Sequence, residues 1–338
     1  MSITKKIFKS WWRGLTRDPS SMFVGPKIVV IGGGTGLATL LRGLKKYSNS
    51  ITAIVTMCDD GSSTGRLREE LGVLPPGDIR KCLAALAEEE PLLTKLFEYR
   101  FQNGNGLAGH SFGNLFLAAL ENLTGSFEKA IEEASNVLAI SGRVMPSTLD
   151  NLTLGAELTN KKIIWGESQI PQHAHKNPIK NLIISPKDAK AYPPALDAIK
   201  NADLIVIGPG SLYTSIIPNF LIKGISEAIS ASSSPKIYIC NISTERGETE
   251  GFEVEDHLDK IISYGKEKIC NAVLVNSKLL RKEQEGELGK IKNITTQKNK
   301  IGRYHIHKFD LVDESKPLYH DSAKLARAII SIFNKNNK

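Results

Sequence analysis

The chain has 338 residues, enough for one large α/β domain or two smaller ones, with a composition typical of globular proteins. No apolar run reaches the roughly 20 residues that cross a bilayer, and no cleavable signal peptide is visible. The four cysteines are widely spaced without a Cys-x-x-Cys pair, which argues against disulfides and a zinc site and favours a cytoplasmic protein.

Residues 1–26 form a distinct N-terminal extension, since five basic residues and one acid give it half of the net charge of +8. On a helical wheel Ile3, Ile7, Trp11 and Leu15 share one stripe. A basic amphipathic segment of this kind can lie on an anionic membrane, so residues 1–17 are a candidate peripheral membrane contact. A frayed tail, or a helix docked on the protein itself, is the alternative. The mildly basic remainder predicts no nucleic-acid binding.

From Lys27 onward short β-branched runs alternate with helical segments, which predicts a single α/β domain over residues 27–333 with a Rossmann-like parallel sheet. A helical insertion is predicted over about 78–140. The predicted strands are Lys27–Ile31, Ile51–Met57, Asn181–Ser185, Leu204–Gly208, Lys236–Cys240 and Ala272–Val275.

Other segments have individual predictions. Asp78 is expected to cap a helix that runs to Leu86, and the apolar stretch Phe112–Leu123 to form a buried helix. Lys161–Trp165 is a candidate strand of a small hairpin. The basic segment 276–308 is expected to be solvated and mobile, and Ser322–Phe333 to form the closing helix.

The first strand runs into Gly32-Gly-Gly-Thr-Gly36, followed by a helical pattern. Glycines allow close approach to a phosphate, and the helix start offers free N–H groups, so Gly33, Gly34, Thr35 and Gly36 are candidate ligand contacts. Leu37 stands where the dinucleotide fingerprint requires its third glycine, and no Gly-Lys-Ser/Thr follows. The alternative is a turn that only packs helix on strand.

Acids follow the second strand. Asp59 and Asp60 would lie at its carboxyl end, where ligands bind in open parallel sheets, and Asp78 with Arg80 follows on the same rim. Carboxylates beside an arginine suit a Mg²⁺–phosphate ligand. Asp60 and Asp78 are therefore candidate metal ligands, and Asp59 a candidate contact to a ligand hydroxyl.

Further glycine- and hydroxyl-rich loops follow later strands or precede helices, at 104–114, 208–215 and 241–249. Together with the first turn they predict a crevice lined by backbone amides, hydroxyls and acids. The candidate ligand contacts in these loops are His110, Gly113, Asn114, Gly208, Gly210, Ser211, Tyr213, Thr214, Asn241 and Thr244. The pairs His173/His175 and His305/His307 could share strand faces, but no third metal ligand accompanies them.

Taken together, these motifs resemble the gluconeogenesis factor family, within the superfamily of phospholactate transferases (CofD-like) of deazaflavin cofactor biosynthesis. The likeness covers about Lys27 to Phe333. The motifs that carry it are Gly32–Gly36, Asp59–Gly61, Pro75–Arg80, Gly109–Asn114, Gly208–Ser215 and Gly247–Thr249.

The resemblance implies a Rossmann-like fold and a cytoplasmic bacterial protein linked to gluconeogenic growth, cell shape and envelope synthesis. It also implies binding of UDP-sugars without an established reaction. In the transferase relatives, acids matching Asp59 or Asp60 and Asp78 hold Mg²⁺ near a guanosine diphosphate group.

Three motifs depart from the family pattern. The usual Asp-Asp-Gly-Gly-Ser-Ser-Gly is Asp-Asp-Gly-Ser-Ser-Thr-Gly at 59–65, and Thr-Gln-Pro-Gly-Glu-Thr is Thr-Glu-Arg-Gly-Glu-Thr at 244–249. Tyr319 stands where the family has the arginine of Arg-His-Asp, and Arg246 is a candidate replacement for its phosphate contact.

The leading hypothesis is a regulatory protein that binds a UDP-sugar or a related nucleotide diphosphate and needs no cofactor. The diphosphate would lie over Gly33–Gly36 and Gly208–Ser215, and hydroxyls would meet Asp59, Asn114 and Asn241. Expected partners are cell-wall or metabolic enzymes, and a homo-oligomer is expected. The alternative is a Mg²⁺-dependent transferase in which Asp59, Asp60 and Asp78 hold the metal. An NAD-dependent oxidoreductase is the weakest alternative because of Leu37.

Overall fold

The strands predicted after Lys27 form a mainly parallel sheet in the computed structural model of the chain, which describes residues 25–88, 91–279 and 291–336. The predicted membrane contact at residues 1–17 lies outside the described residues. The strands are, in chain order, β1 (Ile28–Gly32), β2 (Ile51–Val55), β3 (Arg143–Pro146), β4 (Thr153–Leu158), β5 (Ile163–Trp165), β6 (Ile179–Ser185), β7 (Leu204–Ile207), β8 (Lys236–Ile239), β9 (Ala272–Asn276), β10 (Lys300–Ile301), β11 (Tyr304–Phe309), β12 (Val312–Asp313) and β13 (Lys316–His320).

The helices flank this sheet and connect its strands. They are α1 (Gly34–Leu44), α2 (Ser62–Leu71), α3 (Pro76–Leu86), α4 (Pro91–Glu98), α5 (Phe112–Thr124), α6 (Phe127–Val137), α7 (Ile170–Ala174), α8 (Pro193–Lys200), a π-helical turn (Leu212–Ile216), α9 (Ile217–Leu221), α10 (Ile225–Ala231), α11 (Val254–Gly265) and α12 (Ser322–Asn336). No helix among the described residues has the length and apolarity needed to span a bilayer.

The main sheet has the strand order β10-β11-β9-β8-β7-β1-β2-β3, and every neighbouring pair is parallel except β10 with β11. From β1 the chain first builds outward through β2 and β3, then returns to add β7 on the other side. The order therefore reverses between β1 and β7, and the carboxyl ends of these two strands flank the switch point where such sheets bind ligands. The predicted α/β fold is confirmed.

A second, antiparallel sheet has the order β5-β4-β6. The predicted hairpin strand near Trp165 is confirmed as β5, which pairs with β4. Residues 181–185 do form a strand, but it belongs to this antiparallel sheet and not to the parallel one. A short apolar run specifies extended backbone without specifying its pairing partner.

Helices occupy most of 78–140, as predicted. Asp78 does not cap α3, because this helix begins at Pro76 and the Asp78 carboxylate bonds Gly34 instead. The expectation of a buried helix after Phe112 is also wrong: α5 buries only one face, and Leu123 is 82% exposed.

The described part of the basic segment 276–308 includes regular secondary structure. Residues 280–290 lie outside the described residues, but β11 joins the main sheet beside β9. In this strand Tyr304 and Ile306 are buried while His305 is exposed. Buried and exposed residues alternate with a period of two, as expected for a strand with one buried face. The expectation of a mobile segment is therefore wrong for β11. The closing helix is confirmed as α12.

Candidate functional site

Two glycine turns meet at the switch point. The one after β1 leads into α1, and the one after β7 leads into the π-helical turn. A Cβ on Gly36 would lie 2.7 Å from the Pro209 carbonyl oxygen, and one on Gly210 would lie 3.2 Å from the Gly33 carbonyl oxygen. The two turns therefore pack backbone against backbone, and the sequence needs glycine for this close approach.

A cleft of about 540 Å³ opens over these turns. Its volume lies within the range of small-molecule sites, roughly 300–1,000 Å³. It is lined by Gly34, Thr35, Gly36, Thr39, Thr56, Asp59, Asp78, Lys81, Glu167, Pro209, Gly210, Ser211, Thr214, Ser215, Asn241, Ile242, Ser243, Thr244, Glu245, Arg246, Ile291, Leu318, Tyr319 and His320.

The N-terminus of α1 forms one part of the cleft lining. Gly34 N donates to Asp78 Oδ2 at 2.6 Å, and the other oxygen of this carboxylate pairs with Lys81 Nζ at 2.8 Å. In an α-helix the first N–H groups have no intrahelical acceptor, so those of Thr35 and Gly36 are free to meet a ligand. Thr35 is exposed at the mouth. The helix start thus offers two donors beside an internal ion pair.

Carboxyl groups line the neighbouring wall. Asp59 accepts hydrogen bonds from Gly61 N at 3.0 Å and from Thr64 Oγ1 at 2.8 Å. Burial and the charge of Asp78 nevertheless raise the pKa of Asp59. Burial, followed by the charges of Asp59 and Asp78, raises the pKa of Glu167 to about 8. A carboxyl group that stays protonated near neutral pH can donate a hydrogen bond or a proton.

The hydroxyl residues Ser211, Thr214 and Ser215 also line the cleft, and Ser215 Oγ lies 3.4 Å from the position of a Cβ on Gly34. Outside the lining, the Glu248 carboxylate accepts from Tyr213 N at 3.0 Å and contacts Thr214 Oγ1 at 2.9 Å. Burial and the charge of Glu245 raise the pKa of Glu248 to about 8. Glu248 therefore fixes the start of the π-helical turn.

The end of the cleft after β8 combines polar and apolar groups. Asn241 Nδ2 donates to Glu245 Oε1 at 3.0 Å, and Thr244 Oγ1 accepts from Lys292 N at 2.9 Å. Ile242 and Tyr319 also line this part of the cleft. Amide and carboxyl groups beside aliphatic and aromatic surface suit an organic ligand with a polar edge.

The structure brings ten of the predicted contacts to the cleft: Gly34, Thr35, Gly36, Asp59, Asp78, Gly210, Ser211, Thr214, Asn241 and Thr244. Gly33, Gly208 and Tyr213 adjoin lining residues without lining it themselves. Arg246 does line the cleft, while Tyr319 occupies the position of the family's arginine.

Four predicted residues lie elsewhere. Asp60 Oδ1 accepts from Ser168 N at 2.8 Å, and Asp60 does not line the cleft. His110, Gly113 and Asn114 are buried and do not line the cleft. Asn114 Oδ1 accepts from Arg80 Nε at 3.0 Å, and a Cβ on Gly113 would lie 2.6 Å from the Phe97 carbonyl oxygen and 2.8 Å from Arg80 Cδ. The glycine thus makes room for the Phe97 backbone and the Arg80 side chain, and the asparagine holds Arg80 by a hydrogen bond.

Sequence reasoning missed Lys81 and Glu167. Lys81 directly follows Arg80, and the helical step between them turns one side chain toward the cleft and the other into the core. A helical wheel from Asp78 contained that signal, since Asp78 and Lys81 are three residues apart. Glu167 follows the predicted hairpin, and no local pattern links it to the cleft.

Across the described parts of the chain, no group of three or more His, Cys, Asp or Glu side chains is arranged to hold a metal ion. Asp59 and Asp78 both line the cleft. Because Mg²⁺ commonly takes one or two carboxylates together with phosphate oxygens and water, these two side chains suit Mg²⁺ only in company with a phosphorylated ligand.

The sheet order and the cleft define a doubly wound α/β protein with a polar, ligand-sized site at its switch point. The family model described as 2-phospho-L-lactate transferase CofD matches residues 28–312. The chain belongs to this family, which also includes the UPF0052 proteins.

The chain is similar to several proteins named gluconeogenesis factor. The chain is 45% identical over 308 residues to the gluconeogenesis factor of Halalkalibacterium halodurans, covering 90% of this chain and 95% of that protein. It is 41% identical over 315 residues to the gluconeogenesis factor of Bacillus subtilis, covering 92% and 99%. A Nostoc sp. relative is 57% identical over 258 residues, and the match spans 56% of its length.

A solved structure agrees with the fold. The crystal structure of a UPF0052 family member from Bacillus halodurans is 43% identical and superimposes with a TM-score of 0.86, covering 91% of this chain and all of that one.

Proposed function

We propose that the chain is a regulatory protein that binds a nucleotide sugar of the UDP-sugar type in this cleft. The observation that carries the proposal is the pair of glycine turns after β1 and β7, which face one cleft at the switch point. The free N–H groups of Thr35 and Gly36 and the hydroxyls of Ser211 and Thr214 belong to residues that line this one cleft, and together they suit a diphosphate.

The charges of the cleft are compatible with such a ligand. Lys81 and Arg246 are cations in the lining, which also carries the carboxyl groups of Asp59, Asp78, Glu167 and Glu245. Burial raises the pKa of Asp59 and Glu245, and that of Glu167 to about 8, which reduces the negative charge of the lining near neutral pH and limits repulsion of a diphosphate. Ile242 and Tyr319 at the other end offer apolar and aromatic surface for a base.

The regulatory role is supported by the relatives named gluconeogenesis factor. We further propose that ligand binding changes how the chain engages enzymes of carbon metabolism or cell-wall synthesis, and thereby cell shape. A homo-oligomer, and a membrane contact through residues 1–17, belong to the same proposal.

Isothermal titration calorimetry with UDP-N-acetylglucosamine tests the ligand. We expect saturable binding below millimolar concentration. Thr35→Asp should weaken it at least tenfold, because a carboxylate at an exposed helix start competes with the phosphate for its donors. Thr159→Asp, on an exposed turn after β4, is the matched control and should bind as the parent does. An absence of saturable binding at millimolar ligand would overturn the proposal.

One observation favours a second function, a Mg²⁺-dependent transferase of a nucleotide-linked phosphorylated acid. Glu167, with a pKa of about 8, lies beside Asp59 and Asp78, and such a carboxyl group can exchange a proton with an acceptor hydroxyl near neutral pH. Asp59 and Asp78 would hold the metal, which would offset charge on the leaving group. Loss of turnover in Asp78→Asn with ligand binding retained would support this function. Failure to release nucleotide with any acceptor would contradict it.

A further inference from the structure

The Thr214 hydroxyl lies between the cleft and a carboxyl group. It lines the cleft, and Glu248 Oε1 is 2.9 Å from its Oγ1 on the other side. The second oxygen, Glu248 Oε2, accepts from Tyr213 N at 3.0 Å. Glu248 does not line the cleft itself. The carboxyl group thus touches a cleft residue without being placed to touch the ligand.

The direction of the hydrogen bond between Glu248 and Thr214 depends on one proton. An ionised carboxylate can only accept, so Thr214 must donate its hydroxyl hydrogen to Glu248 and turn lone pairs toward the cleft. A protonated Glu248 can instead donate to Thr214 Oγ1, which leaves the hydroxyl hydrogen free to point into the cleft. The oxygen–oxygen distance fits both directions.

We propose that Glu248 is a positioning residue that sets the polarity of Thr214: protonated, it makes Thr214 a donor to a ligand phosphate, and ionised, it makes Thr214 an acceptor that disfavours phosphate. The inference rests on the proposed diphosphate ligand, because phosphate oxygens near neutral pH accept hydrogen bonds. Binding of the nucleotide sugar is then coupled to one proton at Glu248.

The surroundings of Glu248 favour the protonated form near neutral pH. Burial raises its pKa to about 8, and the charges of Glu245 and, more weakly, Glu167 act in the same direction. The hydrogen bonds from Thr214 and Tyr213 N oppose this rise. Glu245, which lines the cleft, has a pKa raised by its own burial. These effects favour a protonated Glu248 carboxyl group at neutral pH.

The test measures the dissociation constant of UDP-N-acetylglucosamine at pH 6.5 and 8.5. All proteins carry Glu167→Gln, because Glu167 lines the cleft and has a similar pKa. The parent of this series, which carries Glu167→Gln alone, should bind about fourfold more weakly at pH 8.5 than at pH 6.5, because a group with a pKa near 8 loses most of its protonated form over this interval. Adding Glu248→Gln should give one affinity at both values, close to that of the parent at pH 6.5. A glutamine keeps an acceptor for Tyr213 N and a donor for Thr214.

Two further variants separate the effect of the Thr214 hydroxyl on binding from any effect of the substitutions on folding. Thr214→Val, which removes the hydroxyl, should bind weakly and without pH dependence. Glu248→Ala, which removes both hydrogen bonds, should bind more weakly than Glu248→Gln. The inference is overturned if the parent shows no pH dependence, or if the slope survives in Glu248→Gln.

A ligand-free measurement keeps this inference distinct from the proposed function. Difference infrared spectra should show a protonated carboxyl band that titrates near pH 8 in the parent and is missing in Glu248→Gln. If no variant binds the nucleotide sugar but this band is present, the proposed ligand is wrong while the protonation of Glu248 stands. If the band is the same in both proteins, the inference fails whatever the ligand.

Discussion

Replacing Glu167 with glutamine should flatten the pH dependence of stability. In the folded protein burial and the nearby charges of Asp59 and Asp78 raise the pKa of this carboxyl group from 4.5 to about 8. Between these two values the folded state holds a proton that the unfolded state has released. Stability therefore falls as pH rises through this window and is constant above it.

The size of the effect follows from the two pKa values. For a fully buried group, the loss of unfolding free energy from pH 6 to pH 8 would be about 2 kcal/mol. Glu167 is only partly buried. Solvent screening should reduce the loss to about 1–2 kcal/mol.

Urea unfolding at pH 6, 7 and 8 measures this difference between the parent and Glu167→Gln. The parent should lose more stability than the variant over this interval, and the variant should be the more stable protein at pH 8. Exposed Glu69→Gln controls for removal of one negative charge. If the stability of the parent and of Glu167→Gln changes with pH in the same way, the raised pKa of Glu167 is refuted.

Three shorter predictions concern packing, buried polarity and the N-terminal extension. Gly43→Ala should cost about 1–3 kcal/mol in urea unfolding because its Cβ would lie 2.1 Å from the Ser322 carbonyl oxygen, whereas Gly32→Ala, with nothing nearer than 3.7 Å, should cost less. Asn114→Ala should cost about 1–3 kcal/mol by stranding the buried Arg80 Nε, and exposed Asn103→Ala should change little; equal costs would contradict this role. The full chain should cosediment with anionic vesicles, and deletion of residues 1–17 should abolish this; equal cosedimentation of both proteins would refute it.

Much of the main sheet could be predicted from sequence because its strands are buried on both faces. Runs such as Ile28–Ile31 and Leu204–Ile207 are continuous and apolar, which leaves little choice of structure. The strand β11 was not predicted because its lysine and histidine residues suggested a solvated segment, although buried and exposed residues alternate at the start of this strand. The pairing of β6 was mistaken because pairing is decided by distant partners, which no local run contains.

The glycine turns of the site could be predicted because the close backbone approach at Gly36 and Gly210 demands residues without a side chain. Of the cleft carboxyl groups Asp59 and Glu167, only Asp59 could be predicted from the sequence. Asp59 follows a strand of the main sheet, whereas Glu167 reaches the cleft through the antiparallel sheet. The support of Arg80 by Asn114 was visible only as a conflict between residue type and helix propensity.

The most direct test of the central claim is a ³¹P NMR titration of UDP-N-acetylglucosamine with the full chain. If the diphosphate lies over the turns at Gly34–Gly36 and Gly210–Ser215, both phosphorus resonances should shift and broaden with the parent protein. With Thr35→Asp the same shift should need at least tenfold more protein. Unchanged phosphorus resonances, while the proton signals of the base or sugar show binding, would contradict the account.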